Sequence, residues 1–129
     1  CGALAGADLP NNGGEDSFNM LPVLLGEQGE QPVRTHLLTQ TQTLALSIRE
    51  GDWKFLDHQG SGGNNYNRSD LLPYVVKELA PDAPGQLYDL KNDPGETKNL
   101  YNQHPEIVKR MKAKLGQFVA SGRSSHLRQ

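Results

Sequence analysis

The sequence predicts an α+β fold in which a small antiparallel sheet of about four strands packs against one long C-terminal helix, with short helices near the N-terminus. Three observations predict it. Alternating apolar residues on both sides of a turn at 50–52 indicate a hairpin, a further short strand-like run lies at 85–90, and residues 104–122 carry an apolar stripe with helical spacing.

Composition limits the possible functions. The 129 residues include 13 basic and 15 acidic side chains, a net charge of −2, which gives no strong field to recruit nucleic acid or an anionic membrane. No apolar run approaches the roughly 20 residues needed to span a bilayer. A single cysteine excludes an internal disulfide or a thiolate metal site. Because the chain begins with Cys1 and shows no signal-like segment, we expect a piece of a longer protein.

Short helices are expected first. Residues 1–10 are typical of the end of a helix that begins upstream, and Asp16 or Ser17 could cap a second helix over 18–25. Pro22 must then lie in the first helical turn or bend the segment. This second helix is apolar on every side, so it needs cover on more than one face.

Three strand-like runs follow: 35–42, 44–50 and 52–56. The second alternates well, and a turn signal at 50–52 separates it from the third. In the second run Leu44, Leu46 and Ile48 should face one way, and in the third Trp53 and Phe55 should share a face. The short turn between these two runs predicts an antiparallel hairpin.

A polar, glycine-rich loop is predicted over 57–70, because it has few apolar groups to offset the entropy of ordering the chain. Residues 70–81 fit a short helix or a strand, and we favour a helical turn. The next strand, 85–90, ends at a tight turn in which Pro94 sets φ and Gly95 accepts a positive φ.

The last helix has the clearest pattern. Pro105 suits a first turn, where its missing N–H is harmless, and Glu106 suits the positive end of the helix dipole. Six apolar side chains form one stripe that should face the sheet: Ile107, Val108, Met111, Leu115, Phe118 and Val119.

Few residues form a recognisable catalytic or metal pattern. The four histidines have no metal-ligand spacing; His36 suits packing in a strand, and His104 suits capping of the last helix. His58, which opens the glycine-rich loop, is the one with a plausible site role. That loop is either a solvated connection or the lip of a pocket. Lys54 is expected to pair with a carboxylate or to extend along the sheet edge. The residues alone therefore favour a non-catalytic α+β module.

Three motifs nevertheless resemble the type I sulfatases, the arylsulfatase family, in order and spacing. GEDSFNMLPVLLG resembles the family's D-S-x-x-x-L-P-x-L-x-G segment, SIREGDWKFL its x-I-R-x-G-x-W-K-L hairpin, and QLYDLKNDPGETKNLYNQHPEIVKRMKAKL its closing L-Y-D-L-x-x-D-P motif. The resemblance implies two domains: residues 1–26 as trailing helices of a large upstream catalytic domain, and residues 27–129 as the C-terminal subdomain.

The family hydrolyses sulfate esters with a formylglycine and a calcium ion, which stabilise charge on the sulfuryl oxygens. The resemblance implies that both belong to the upstream domain of the parent protein. The residues that follow Cys1 lack the arginine of the formylglycine motif, so Cys1 is not expected to be the formylglycine precursor. No catalytic or metal-binding residue is expected in this chain. Family habit also implies a periplasmic or extracellular location.

The loop at 57–70 tends to reach the rim of the substrate pocket in this family. The resemblance thus marks five polar residues as candidates for contact with a sulfate-ester substrate: His58, Gln59, Ser61, Asn64 and Asn65. By itself the chain should be inactive. The alternatives are an independent binding module for sulfated glycans and a purely structural cap.

Overall fold

The computed structural model describes residues 1–62 and 68–125. Its elements are, in order, a 3₁₀ turn at Ala3–Ala5, helix α1 at Leu21–Leu24, strands β1 at His36–Gln40, β2 at Leu46–Glu50 and β3 at Trp53–Leu56, a 3₁₀ turn at Leu72–Tyr74, strand β4 at Gln86–Asp89 and helix α2 at Pro105–Ser121. The chain divides into two compact units, one made of Cys1–Thr35 with the chain from Gly116 onward, the other of His36–Leu115.

The four strands form one antiparallel sheet in the order β1-β2-β3-β4. Its register places Ile48 opposite Phe55 and Phe55 opposite Leu87, and all three side chains are fully buried. Glu50 lies on the same face as Ile48, two residues along β2, and pairs with Arg110 and Lys114 of α2. The helix therefore lies across this face, which confirms the predicted α+β architecture.

The core on the helix side comes from one stripe of α2. Val108, Met111 and Leu115 are buried. Pro105 begins the helix, as predicted. The stripe does not continue to the end of the helix, because Val119 is 59 % exposed. No helix in the described ranges is long and apolar enough to cross a bilayer.

The prediction that Leu44 extends the inward face of β2 is wrong. Leu44 has φ 63° and is 73 % exposed. It belongs to a turn in which the Thr41 amide donates to the Ala45 carbonyl at 2.9 Å and the Ala45 amide donates to the Thr41 hydroxyl at 3.1 Å. These reciprocal bonds close the connection between β1 and β2, so β2 begins only at Leu46.

The predicted capping of α1 is also wrong. The helix begins at Leu21, whose amide donates to Asn19 Oδ1 at 3.1 Å. Asp16 instead accepts hydrogen bonds from the amide and the hydroxyl of Ser124, at 2.8 and 2.7 Å. Pro22 lies in the first turn, as expected.

The turn after β4 forms at the predicted place with a different left-handed residue. Glu96, not Gly95, has the positive φ, 54°. The carboxylate of Asp93 accepts hydrogen bonds from the amides of Thr97 and Lys98, at 2.7 and 2.8 Å. Desolvation alone would raise the pKa of Asp93. The hydrogen bonds that its carboxylate accepts, chiefly the one from the Lys98 amide, outweigh desolvation and lower the pKa.

Candidate functional site

A cleft of about 400 Å³ lies in the unit formed by His36–Leu115. Gln86 and Tyr88 of β4 line it. Because side chains alternate along a strand, these two residues point away from the face that carries Leu87 and α2. The cleft is thus built on the second face of the sheet.

Buried polar side chains form the floor of the cleft. Tyr88 donates its phenolic proton to Gln86 Oε1 at 2.6 Å. Gln86 Nε2 donates to the carbonyl oxygens of His58 and Gly60, at 3.0 and 2.9 Å. Gln86 and Tyr88 are each 7 % exposed. Their bonds therefore fasten the start of the 57–70 loop to the sheet.

An ion pair holds Glu96, one of the residues that line the cleft. Lys54, opposite Tyr88 in the sheet register, donates from Nζ to both carboxylate oxygens of Glu96, at 2.7 and 2.8 Å. This confirms the expectation that Lys54 pairs with a carboxylate. The left-handed conformation of Glu96 at the turn accompanies this contact.

Tyr88 is held in its protonated form. Burial, followed by the charges of Glu78, Glu96 and Asp93, raises the pKa of Tyr88 to about 12. At neutral pH its hydroxyl is thus a hydrogen-bond donor committed to Gln86. The two β4 side chains that form the floor of the cleft are thus neutral and bonded to each other.

Of the three predicted substrate contacts that the structure describes, one lies in the lining of this cleft. Ser61 lines it, next to Gly60. Gln59 instead donates from Nε2 to the carbonyl oxygen of Ala83 at 2.7 Å, which ties the loop to the segment before β4. Asn64 and Asn65 lie outside the described residues. Substrate contact by these residues stays a prediction.

His58 has an unusual environment. Its Nδ1 lies 3.1 Å from the carbonyl oxygen of Gln59. Its Nε2 is buried and has no hydrogen-bond partner within the described part of the chain. A buried polar atom without a partner is unfavourable, which makes this nitrogen an exception to the usual pairing of buried polar groups.

Sequence reasoning missed Gln86 and Tyr88, the two residues that organise the cleft. The sequence does carry a pattern that indicates them, because these two polar side chains alternate with the apolar Leu87 within β4. Alternation alone does not distinguish a solvated face from a covered one. Only the fold reveals that loops cover these side chains and leave a cleft above them.

The cofactors of the resembled family call for a group of metal ligands and for a formylglycine motif. Among residues 1–62 and 68–125, no three His, Cys, Asp or Glu side chains lie together in a group that could hold a metal ion. Cys1, the residue type from which a formylglycine can be made, is exposed and is followed by Gly2, Ala3, Leu4 and Ala5 without the arginine of the motif.

Comparison with characterised proteins gives consistent matches. The chain is 32 % identical over 109 residues to an N-acetylgalactosamine-6-O-sulfatase from Bacteroides thetaiotaomicron, covering 84 % of this chain and 20 % of that protein. It is 30 % identical over 118 residues to human arylsulfatase A, covering 85 % of this chain and 23 % of the relative. The chain thus spans about a fifth of the length of these relatives. No protein-family model matches it.

Solved structures agree with this relationship. A structure solved in connection with the metabolism of multiple glycosaminoglycans by Bacteroides thetaiotaomicron has a TM-score of 0.66 and 31 % identity, covering 90 % of this chain and 22 % of that one. The crystal structure of Ps i-CgsB shares the fold at a TM-score of 0.52 and 21 % identity, covering 91 % of this chain and 22 % of that one. The chain belongs to the sulfatase family and is a C-terminal portion of such a protein.

Proposed function

We propose that this chain is the part of a sulfate-ester hydrolase that forms one side of the substrate pocket, and that it contributes no catalytic group. The similarity to an N-acetylgalactosamine-6-O-sulfatase over 84 % of the chain carries this proposal. The names of the relatives support sulfate-ester hydrolysis by the parent protein, and a sulfated sugar is the substrate class that the first of them suggests.

The partner in this proposal is an upstream catalytic domain of the same polypeptide. Because the relatives are about four times as long as this chain, most of a sulfatase lies outside it. The formylglycine and the calcium ion would come from that domain, as the resemblance to the family implies. In keeping with the family, the parent would act in the periplasm or outside the cell.

The geometry of the 57–62 loop supports a role at the rim of the pocket. Gln86 and Gln59 anchor the loop from two sides, through the carbonyls of Gly60 and Ala83. A loop fixed in this way can present Ser61 in a defined position. His58, Gln59, Ser61, Asn64 and Asn65 remain the proposed substrate contacts, with Gln59 holding the loop as well.

The proposal is tested in the full-length parent. His58→Ala and Ser61→Ala should each raise KM for a sulfated sugar about fivefold or more and leave kcat nearly unchanged. Each substitution removes a hydrogen bond worth about 1 kcal/mol from the enzyme–substrate complex and from the transition state alike. Lys91→Ala is the matched control, since this exposed side chain lies in the turn that follows the far end of β4. An unchanged KM in both variants would favour a structural cap instead.

The isolated chain provides the second test. It should not hydrolyse an aryl sulfate, with or without calcium, whereas the parent should. Turnover by the chain alone would contradict the proposal. Binding of sulfated but not unsulfated oligosaccharides by the isolated chain, at an affinity equal to that of the parent, would favour an independent binding module.

A further inference from the structure

Leu44 holds a backbone conformation that a turn of this kind normally gives to glycine or asparagine. The Leu44 amide donates to the Thr41 carbonyl at 3.0 Å, and the Thr41 amide donates to the Ala45 carbonyl at 2.9 Å. These bonds are typical of a hairpin turn that closes with one left-handed residue. Leu44 is that residue, with φ 63°. A side chain is unfavourable in this conformation, because its Cβ lies too close to the carbonyl oxygen that follows.

The rest of the described chain does not compensate Leu44 for this conformation. Within residues 1–62 and 68–125, the other non-glycine residue with a positive φ is Glu96, whose side chain gains two hydrogen bonds from Lys54. The side chain of Leu44 is instead 73 % exposed, so packing contributes little to it. Exposed leucines are common, but a bulky residue with a positive φ is an outlier. Residues held in such conformations cluster at functional sites.

The turn that carries Leu44 packs directly against the 57–62 loop. Gly62 has φ 65°, and a Cβ at this position would lie 2.3 Å from Thr41 Cγ2 and 2.7 Å from Thr41 Cβ. The side chain of Thr41 is fixed, because its hydroxyl accepts from a backbone amide of the turn and bonds to a second hydroxyl there, both at 3.1 Å. The turn therefore contacts the loop at the residue next to Ser61, which lines the cleft.

We propose that Leu44 is a further substrate-binding residue, which contacts the apolar C–H face of a sulfated sugar held beside the 57–62 loop. The inference rests on the proposed function, because it requires a substrate at this rim. It goes further by adding the turn between β1 and β2 to the rim. A sugar ring has C–H groups on its faces and hydroxyl groups at its edges. An apolar side chain and a hydroxyl such as that of Ser61 therefore recognise different parts of one ring.

Leu44→Gly in the full-length parent tests the proposal, because stability and substrate binding should change in opposite directions. Glycine adopts a positive φ without a clash, so the unfolding midpoint should rise by about 1–3 °C. KM for a sulfated sugar should rise about fivefold with kcat nearly unchanged, since an apolar contact is lost from the bound substrate and the transition state alike. Leu44→Met is the matched variant. It keeps an apolar side chain on the same backbone, so KM should stay within about twofold of the parent's value.

Three outcomes would overturn the proposal. If Leu44→Gly raises the unfolding midpoint and leaves KM unchanged, the leucine has no role in binding. If Leu44→Gly lowers the midpoint, Leu44 packs against another part of the parent instead of a substrate. If Leu44→Met raises KM as much as Leu44→Gly does, the apolar contact is not what the substrate requires.

Two glycine variants test whether the turn and the loop act together. Gly60 and Gly62 both have a positive φ, 69° and 65°, but a Cβ on Gly60 would meet nothing within 4 Å. Both variants carry the same backbone strain, and only Gly62→Ala pushes the loop away from Thr41. Gly62→Ala should therefore raise KM about fivefold more than Gly60→Ala does. Equal effects of the two variants on KM would contradict a rim that includes the turn.

Ser61→Ala and His58→Ala separate this inference from the proposed function. If these two variants raise KM and Leu44→Gly does not, the loop forms the rim without Leu44, and only the present inference fails. If Leu44→Gly raises KM and neither loop variant does, the apolar contact stands and the polar contacts of the proposed function fail.

Discussion

Replacing Asn99 by alanine removes three hydrogen bonds that secure the outer edge of β4. Asn99 Oδ1 accepts from the amides of Leu87 and Tyr101, both at 3.1 Å, and Nδ2 donates to the Gly85 carbonyl at 3.2 Å. Asn99 is 5 % exposed, so water cannot readily replace the side chain. A buried N–H left without a partner costs about 1–3 kcal/mol, and each of the two other bonds contributes about 0.5–1 kcal/mol. The expected loss is about 2–5 kcal/mol, a large share of the stability of a small domain.

Urea denaturation followed by Trp53 fluorescence measures this loss of stability. Hydrogen exchange at the Leu87 amide reports whether its hydrogen bond to Asn99 Oδ1 has been lost. Asn92→Ala is the matched control. Its side chain is exposed and bonds to Asp89 Oδ2 at 2.6 Å, so its removal should change stability by less than about 0.5 kcal/mol. Equal effects of the two substitutions, or unchanged protection at Leu87, would refute the reasoning.

Two further changes test the cleft and the sheet. Because the pKa of Tyr88 is about 12 in the folded chain and about 10 when unfolded, its contribution to stability is complete below pH 10. That contribution, roughly 2–3 kcal/mol, should be lost as pH rises from about 10 through 12; a phenolate titration in which all four tyrosines ionise together near pH 10 would contradict it. Gly85→Ala should destabilise the fold by about 1–3 kcal/mol, since the new Cβ would lie 2.7 Å from the Leu56 carbonyl oxygen. Gly116→Ala, in open space within α2, should instead stabilise by about 0.5–1 kcal/mol; thermal melts that rank the two alike would argue against the packing.

Local signals predicted the elements whose stability is largely local. The Gly51 turn and the alternation around Ile48 and Phe55 predicted the hairpin, and Pro105 marked the start of α2. The prediction failed where a contact distant in sequence or a turn competes with the local pattern. Leu44 continues the alternation of β2 in the sequence. Hydrogen bonds between Thr41 and Ala45 place Leu44 in a turn instead, so β2 begins only at Leu46.

The candidate site was less accessible to sequence reasoning, because its contacts join distant parts of the chain. Glu96 takes the positive φ that Gly95 could adopt more easily, and its carboxylate bonds to Lys54, 42 residues earlier. Likewise, nothing local reveals that the Gln59 side chain bonds to the Ala83 carbonyl, 24 residues later. The location of the loop was predictable from composition; the bonds that fix it were not.

The backbone groups on the outer edge of β4 affect how readily the protein would aggregate by strand addition at high concentration. Strand β4 is at one end of the sheet, yet the chain's own residues occupy the Gly85 carbonyl, both backbone groups of Leu87 and the Asp89 carbonyl. A foreign strand finds few vacant partners there, so fibril-like growth by strand addition is blocked on this side. Any such polymerisation would have to begin along β1, where a proline or lysine introduced into His36–Gln40 would be the natural way to suppress it.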